Sequence, residues 1–372
     1  MDYITNNDTI IFEPNFNKEL DIELISGFTK LIFSNYELNN KLFEHYTNND
    51  FIGLRCKQNE FNQDVSVLPH SLTHLTFGYK FNQDVSALPH TLTYLRFGCK
   101  FNQDVSNLPF NLTHLTFGFE FNQDVSVLPP NLIHLTFNWC FNQDVSVLPP
   151  NLTHLTFNWC FNQDVSVLPL FLTHLTFGGK FNQDVSKLPR EIIHLKFGDW
   201  FDKDVSALPP FLTHLTFGEK FNQDVSALPP FLTHLTFGDA FNKDVSALPH
   251  TLTYLRFGIN FDQDLSNLPH TLTCLILGDN FEEHISKLPP NITHLTLGLC
   301  FKQEYIVPSS VKYLKLNCNN QYIINSLPNS IKELELDYYF DLEINNLPTS
   351  IKKLIINQDG LYDKNLNCLP NA

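Results

Sequence analysis

Apolar residues recur at fixed places in a 20-residue unit that repeats along the chain. The first clean unit, FNQDVSVLPHSLTHLTFGYK, spans residues 61–80, and twelve units follow one another without insertion up to Cys300. With each unit numbered 1 to 20, apolar side chains hold positions 1, 5, 8, 12, 15 and 17. A fixed period of this length is typical of a solenoid, in which each unit forms one coil and packs on its neighbours.

Each unit carries signals for one strand and two changes of direction. The run LTHLTF alternates around Leu75 and Phe77, which indicates a half-buried strand. Position 9 is always Pro, which predicts a turn because Pro fixes φ and lacks an amide donor. Position 18 is Gly in ten units and Asn in two, which favours a left-handed bend after the strand. We therefore predict parallel, in-register strands about 4.8 Å apart, with little or no α-helix.

Looser copies of the unit flank the regular block. The candidate strands there are Ile10–Phe12, Leu31–Phe33 and Leu54–Cys56 upstream, and Leu314–Leu316, Leu334–Leu336 and Leu354–Ile356 downstream. We expect one continuous solenoid of about eighteen coils. Its parts would be degenerate N-terminal capping repeats at 1–60, regular repeats at 61–300, and degenerate C-terminal repeats with a cap at 301–372.

Two known repeats resemble this unit. Leu72-x-x-Leu75-x-Phe77 is similar to the core of leucine-rich repeats, and the closer resemblance, carried by the segment FNQDVSALP at 81–89 and its equivalents, is to the FNIP repeat family. The resemblance implies a right-handed, leucine-rich-repeat-like coil with one long parallel sheet. The resemblance also implies an origin in an amoeba or in one of the large DNA viruses that infect amoebae. Some members of the family carry an N-terminal F-box, which we do not expect here because residues that follow the repeat pattern begin by Ile10.

Composition narrows the class of partner. Lys and Arg number 24 against 39 Asp and Glu, so the net charge of −15 disfavours nucleic acid and anionic membranes as partners. No apolar run reaches membrane-spanning length, and the N-terminus lacks the pattern of a secretory signal. We expect an intracellular, cytoplasmic protein (in the host cytoplasm if the chain is viral). The eight cysteines form no C-x-x-C pair and are expected to be free thiols.

In-register stacking would turn positions 14 and 4 into columns of histidine and aspartate. The histidines are His74, His114, His134, His154, His174, His194, His214, His234 and His294, interrupted by Tyr94, Tyr254 and Cys274. They could bind metal or protons, or form a solvated sheet face, which we favour because no carboxylate orients them. Mutual repulsion is expected to lower their pKa values. The aspartates of position 4, such as Asp64 and Asp84, could bind calcium, or each could accept a backbone N–H in a tight turn, which we favour.

The places where the copies differ predict the binding surface. An active site needs a unique constellation, whereas this surface is repeated, so we expect neither catalysis nor a cofactor. All three Trp residues fall at positions 19 and 20, just past the bend, and exposed aromatic anchors often bind proteins, although these residues could instead cover the core edge. The candidate partner-binding residues are Phe119, Trp139, Trp159 and Trp200 at the rim, and Tyr94, Arg96, Lys196, Tyr254 and Arg256 on the strand face. The predicted function is a non-enzymatic protein-interaction scaffold; the alternative is a substrate adaptor for ubiquitin ligation that lacks its own F-box.

Overall fold

The computed structural model describes residues 2–36, 57–285, 287–337, 340–344 and 347–356. The chain divides into two compact units, unit 1 at 1–183 and unit 2 at 184–372. Each unit is a stack of coils that follows the sequence repeat, with one strand per coil.

Unit 1 holds a short antiparallel strand followed by a parallel ladder. Its elements are β1 (Tyr3–Asn6), β2 (Thr9–Phe12), α1 (Ile22–Ile25), β3 (Lys30–Phe33), β4 (His74–Thr76), β5 (Tyr94–Arg96), β6 (His114–Thr116), β7 (His134–Thr136), β8 (His154–Thr156) and β9 (His174–Thr176). Strand β1 pairs antiparallel with β2, and every later neighbour pair from β2 to β9 is parallel.

Unit 2 is a parallel ladder throughout. Its elements are β10 (His194–Lys196), β11 (His214–Thr216), β12 (His234–Thr236), β13 (Tyr254–Arg256), β14 (Cys274–Ile276), β15 (His294–Leu297), β16 (Tyr313–Leu316), α2 (Gln321–Asn325), β17 (Glu333–Leu336) and β18 (Lys353–Ile356). The downstream strands predicted around Leu314, Leu334 and Leu354 are confirmed as β16, β17 and β18.

The strands pair in register, as predicted. Within unit 1, His114 lies opposite His134 and Leu115 opposite Leu135, so each coil presents equivalent side chains at the same height. The upstream strands at Ile10 and Leu31 are confirmed as parts of β2 and β3, which pair directly. Strand β3 in turn pairs directly with β4, and the predicted strand at 54–56 lies outside the described residues.

The core follows the six apolar positions. In the first coil Phe61, Val65, Leu72, Leu75 and Phe77 are all at most 2% exposed. Phenylalanines from positions 17 and 1 interleave, so that the ring of Phe77 lies 3.6 Å from that of Phe81, and Phe81 lies 6.1 Å from Phe101 one coil on. Each coil therefore buries aromatic surface that a single 20-residue coil could not cover alone.

Backbone polar groups at the corners are satisfied by repeated hydrogen bonds. Leu72 N donates to Pro69 O over 3.1 Å, which confirms that the position-9 proline lies in a turn. Asn82 N donates to Asn62 Oδ1 over 2.8 Å, and Gln83 Nε2 donates to Asn62 O. Asn62 Oδ1 thus satisfies a backbone N–H of the next coil. The same bond recurs from coil to coil, with Asp202 and Asp262 as acceptors in place of asparagine in unit 2.

The prediction of a left-handed bend at position 18 is wrong for the glycines. None of Gly78, Gly98 and Gly118 in unit 1, or Gly218 and Gly238 in unit 2, has φ in the left-handed region. A Cβ on any of them would instead lie within about 2.5 Å of an atom of the preceding coil. Glycine is required here because neighbouring backbones approach closely.

Helical structure is minor in the described part of the chain. Helix α1 has four residues and α2 has five, and each begins after a side-chain cap, Asp21 and Asn320 respectively. Both helices are too short to cross a membrane, and no helix long and apolar enough to do so occurs among the described residues. Low helix content is as predicted.

Candidate functional site

Phe119, Trp139 and Trp159 form a stack on one rim of unit 1, which we call the aromatic column. The ring centroids of Phe119 and Trp139 lie 5.3 Å apart, those of Trp139 and Trp159 lie 5.1 Å apart, and the planes differ by only 12° and 11°. Phe119 is 41% exposed and Trp139 is 39% exposed, whereas Trp159 is half-buried. The three rings therefore form one contiguous column with an apolar edge facing solvent.

The backbone beneath the aromatic column holds it in register. Cys140 N donates to Phe119 O over 3.0 Å, and Cys160 N donates to Trp139 O over 2.9 Å. At the next coil Gly179 leaves room for the indole, since a Cβ there would lie 2.3 Å from Trp159 Cε3. The rings are therefore fixed by coil stacking before any partner arrives.

A cleft of about 360 Å³ lies beside the aromatic column, at the ends of the unit 1 strands. Its lining includes Thr76, Arg96 and Thr116 from the strand face and Phe119 and Asn138 from the rim. The structure thus brings two of the predicted binding residues, Arg96 and Phe119, to one concave surface. Tyr94 lies at the other end of β5, where its ring stacks 5.5 Å from that of His74.

The remaining predicted residues lie in unit 2, where they do not form an aromatic column. Lys220 Nζ lies 4.3 Å from the ring centre of Trp200, a cation–π contact. Tyr254 and Arg256 share β13. The pKa of Tyr254 is raised, chiefly by burial, and its hydrogen bond with the Arg256 side chain offsets only part of this rise. Lys196 is exposed at the end of β10. Position 19 in these coils holds Asp199, Glu219 and Asp239 in place of aromatic residues.

The histidines of unit 1 are more ordered than a solvated face requires. The histidine column, His114, His134, His154 and His174, has successive ring centroids 4.3, 4.1 and 4.2 Å apart. Thr113 Oγ1 lies 2.9 Å from His114 Nδ1, so a threonine hydroxyl, and not a carboxylate, orients this ring.

The predicted lowering of the histidine pKa values is confirmed in direction for five histidines of position 14. The pKa values of His114, His134 and His174 are lowered mainly by burial, and the charge of neighbouring imidazoles lowers them further. Burial is also the first cause for the lowered pKa values of His74 and His294. Repulsion between the imidazole charges, the cause expected from the sequence, makes the smaller contribution to the lowered pKa values.

The aspartates of position 4 form turn caps, as favoured from the sequence. Asp64 Oδ1 accepts Ser66 N over 3.0 Å, and Asp64 Oδ2 accepts Ser66 Oγ over 2.6 Å. The Ser66 hydrogen bonds lower the pKa of Asp64. Within the described residues no group of three or more His, Cys, Asp or Glu side chains is placed to hold a metal ion.

A second apolar surface of unit 1 was missed in the sequence. Val127, Val147, Val167, Leu170 and Phe171 are all more than half exposed, on the turn side of their coils. The available signal was the replacement of polar or small residues by Val at position 7 and by Leu and Phe at positions 10 and 11.

A family model described as the FNIP Repeat matches most of the chain. The matched segments are 61–100, 101–140, 124–160, 141–180, 181–220, 221–260, 245–280 and 319–359. The chain belongs to the FNIP repeat family. The resemblance drawn from the Phe-Asn and Leu-Pro motifs is thereby confirmed for this FNIP repeat protein. No curated protein sequence matches it.

Solved structures similar to this FNIP repeat protein are leucine-rich-repeat solenoids. CroV588, described as a novel circular LRR protein, is 30% identical, with 96% of this chain and 70% of that chain covered and a TM-score of 0.62. The functional domain of InlJ from Listeria monocytogenes, which includes a cysteine ladder, is 20% identical, with 92% and 70% covered and a TM-score of 0.52. A chain of the Toll–Spatzle complex from Drosophila is 14% identical, with 96% and 55% covered and a TM-score of 0.50. The last two support the fold alone.

Proposed function

We propose that this FNIP repeat protein is a non-enzymatic protein-interaction scaffold that binds a partner through the aromatic column of unit 1. The carrying observation is the stack of Phe119, Trp139 and Trp159, whose first ring, that of Phe119, lines a cleft together with Arg96. Aromatic and Arg side chains are the residue types that most often dominate binding energy at protein interfaces.

Rigidity strengthens the proposal. The rings are stacked within about 5.3 Å of one another and rest on a backbone that is hydrogen-bonded from coil to coil. Ordering such side chains on binding costs little entropy, since their rotamers are already restricted. Leucine-rich-repeat proteins commonly serve as interaction scaffolds, which agrees with this reading of the fold.

The test compares two pairs of alanine substitutions in the full chain. Trp139→Ala/Trp159→Ala removes the rings of the aromatic column, whereas Leu170→Ala/Phe171→Ala removes exposed apolar side chains from the turn side of the same unit. Partners captured from a cell lysate by the wild type should be lost with the tryptophan pair and retained with the control pair. With a purified partner, the tryptophan pair should weaken affinity by about 30-fold or more.

Thermal unfolding of both variants guards against misfolding as the cause of a loss. Equal recovery of every partner by wild type and by the tryptophan pair would refute the proposed surface. The alternative function, that of a ubiquitin-ligase adaptor, stays a prediction. The same capture experiment tests it, because recovery of a cullin or ligase subunit together with the partner would favour it.

A further inference from the structure

Two cysteines, Cys140 and Cys160, hold position 20 of neighbouring coils in unit 1, directly after Trp139 and Trp159. Both are free thiols and half-buried. The residues that precede them are stacked in register, since Cys160 N donates to Trp139 O over 2.9 Å and the indole rings of Trp139 and Trp159 lie 5.1 Å apart. The two thiols therefore lie one coil apart on the same rim.

Side chains at position 20 contact the equivalent side chain of the next coil at other places along the rim. In unit 1, Lys80 Nζ lies 2.6 Å from Glu60 Oε2. In unit 2, Asn280 Nδ2 donates to Asn260 Oδ1 over 2.9 Å. Because the backbone of each coil repeats, the two cysteine side chains are neighbours in the same way.

The spacing of the coils suits an ion between the two sulfur atoms better than a disulfide bond. A disulfide brings the two Cβ atoms to about 3.5–4.5 Å, whereas parallel, in-register chains hold equivalent atoms about 4.8 Å apart. Two sulfur–metal bonds of about 2.3 Å, the length found for zinc thiolates, span up to about 4.6 Å between the sulfur atoms. A bridging cation therefore fits this spacing, while a disulfide has to draw the coils together against the stacked indoles.

The ligand set favours Cu(I). Thiolate ligands select Cu(I) and zinc among the biological metals, and a structural zinc site has four ligands. Among the described residues no group of three or more His, Cys, Asp or Glu side chains is placed to hold a metal ion. Two thiolates are sufficient for Cu(I), because this soft, filled-shell ion accepts two sulfur ligands in a linear arrangement.

The charges beside the pair also favour a cation. Burial raises the pKa of the Cys140 thiol, and the negative charges of Cys160 and Glu120 raise it further. Two adjacent thiolates repel each other, and a cation between them removes this repulsion. Glu120 is itself paired with Lys100. Lys180, which follows Cys160 in the column, is exposed, so its ammonium group can extend into water.

We propose that Cys140 and Cys160 form a dithiolate site that binds one Cu(I) ion between neighbouring coils, next to the aromatic column. Binding replaces the two thiol protons with one ion and releases both protons to water. No ring of the aromatic column is a ligand, so metal binding and partner binding are separable functions.

The test titrates the reduced full chain with Cu(I) under argon, in competition with a colorimetric Cu(I) chelator. Cys140→Ser/Cys160→Ser removes both ligands, and Cys274→Ser/Cys300→Ser is the matched control, because it removes as many thiols from two different repeat positions, 14 and 20. The wild type and the control pair should bind one Cu(I) ion that the first pair binds at least about a hundredfold more weakly. Equal affinity and stoichiometry in the two variant pairs would overturn the proposal.

Melting curves supply a second readout and exclude misfolding of the variants. Cu(I) should raise the melting temperature of the wild type and of the control pair, because it binds the folded chain, and should leave that of Cys140→Ser/Cys160→Ser unchanged. Cu(I) should also quench tryptophan fluorescence in the wild type, since each ligand follows a tryptophan of the aromatic column.

Two further outcomes would refute the two-thiolate site. Tighter binding of Zn²⁺ than of Cu(I) would show that the site has a larger ligand set. A disulfide between Cys140 and Cys160, formed in a glutathione redox buffer and identified by mass spectrometry, would contradict the spacing on which the bridging ion depends.

Discussion

A Cβ atom built on Gly98 would lie 1.7 Å from the carbonyl oxygen of Gly78, its equivalent one coil earlier. The same distance separates a Cβ on Gly118 from Gly98 O. The bend after each of these strands is thus a place where two backbones touch, with no space for even a methyl group. The close contact lets the rim residues that follow keep their coil-to-coil hydrogen bonds.

Gly98→Ala is therefore expected to destabilise unit 1, by about 1–3 kcal/mol, because the added methyl group must push two coils apart. The matched control is Gly27→Ala, since nothing lies within 4 Å of a Cβ there and its φ is not left-handed. That change should be neutral or slightly stabilising. Equal urea midpoints for the two variants would contradict the expectation.

The glycines at position 18, such as Gly78 and Gly98, mark a limit of prediction from sequence. Ten glycines and two asparagines at one position are equally consistent with a left-handed backbone and with a close approach. Only the distance between coils separates these causes, and that distance depends on how phenylalanines such as Phe77 and Phe81 pack. The period, the strands and the buried positions needed no such distance, because each follows from local alternation and repetition.

The candidate site divides in the same way. The aromatic column could be predicted because in-register stacking places residues 20 apart above one another. The cleft that joins Arg96 to Phe119 could not, since it depends on how strand ends and rim curve relative to each other.

Asp144 is expected to stabilise its corner through two acceptor oxygens. Asp144 Oδ1 accepts Ser146 N over 2.9 Å, and Oδ2 accepts Ser146 Oγ over 2.8 Å. Asp144→Ala should lower the melting temperature more than Asp144→Asn, because the asparagine oxygen still accepts the backbone N–H. Identical melting temperatures for both variants and the wild type would show that the cap contributes nothing.

Acid should weaken the same corner. The Ser146 hydrogen bonds lower the pKa of Asp144 below 3.8, so the unfolded chain takes up a proton at higher pH than the folded chain does. The stabilisation is therefore complete above the ordinary pKa and is lost as pH falls through the folded value. Asp144→Asn should remove this part of the acid dependence when melting is followed down to about pH 3.

Burial should decide the effect of removing a phenylalanine. Phe141 is fully buried, with its ring 3.8 Å from that of Phe137, whereas Phe110 is 54% exposed. Phe141→Ala should cost about 3–5 kcal/mol, and Phe110→Ala within about 0.5 kcal/mol. Because coils contact only their neighbours, hydrogen exchange should rise first in the coils next to Phe141. A loss spread evenly over unit 1 would contradict this local effect.

The histidines should make stability depend on pH near neutrality. Burial, followed by the charge of neighbouring imidazoles, lowers the pKa of His114 and His134 in the folded chain below the ordinary 6.5. Between the folded and unfolded pKa values the unfolded state binds more protons, so the free energy of unfolding rises with pH. Stability is therefore lost as pH falls below about 6.5.

Melting of the wild type should accordingly occur at a lower temperature at about pH 5.5 than at about pH 7.5. The variant His114→Gln/His134→Gln/His174→Gln should show a smaller difference, because it removes three histidines whose pKa values are lowered chiefly by burial. His90→Gln, an exposed histidine on the turn side, is the matched control and should leave the difference unchanged. If the triple variant kept the full pH dependence, the charge responsible would have to lie outside these three histidines.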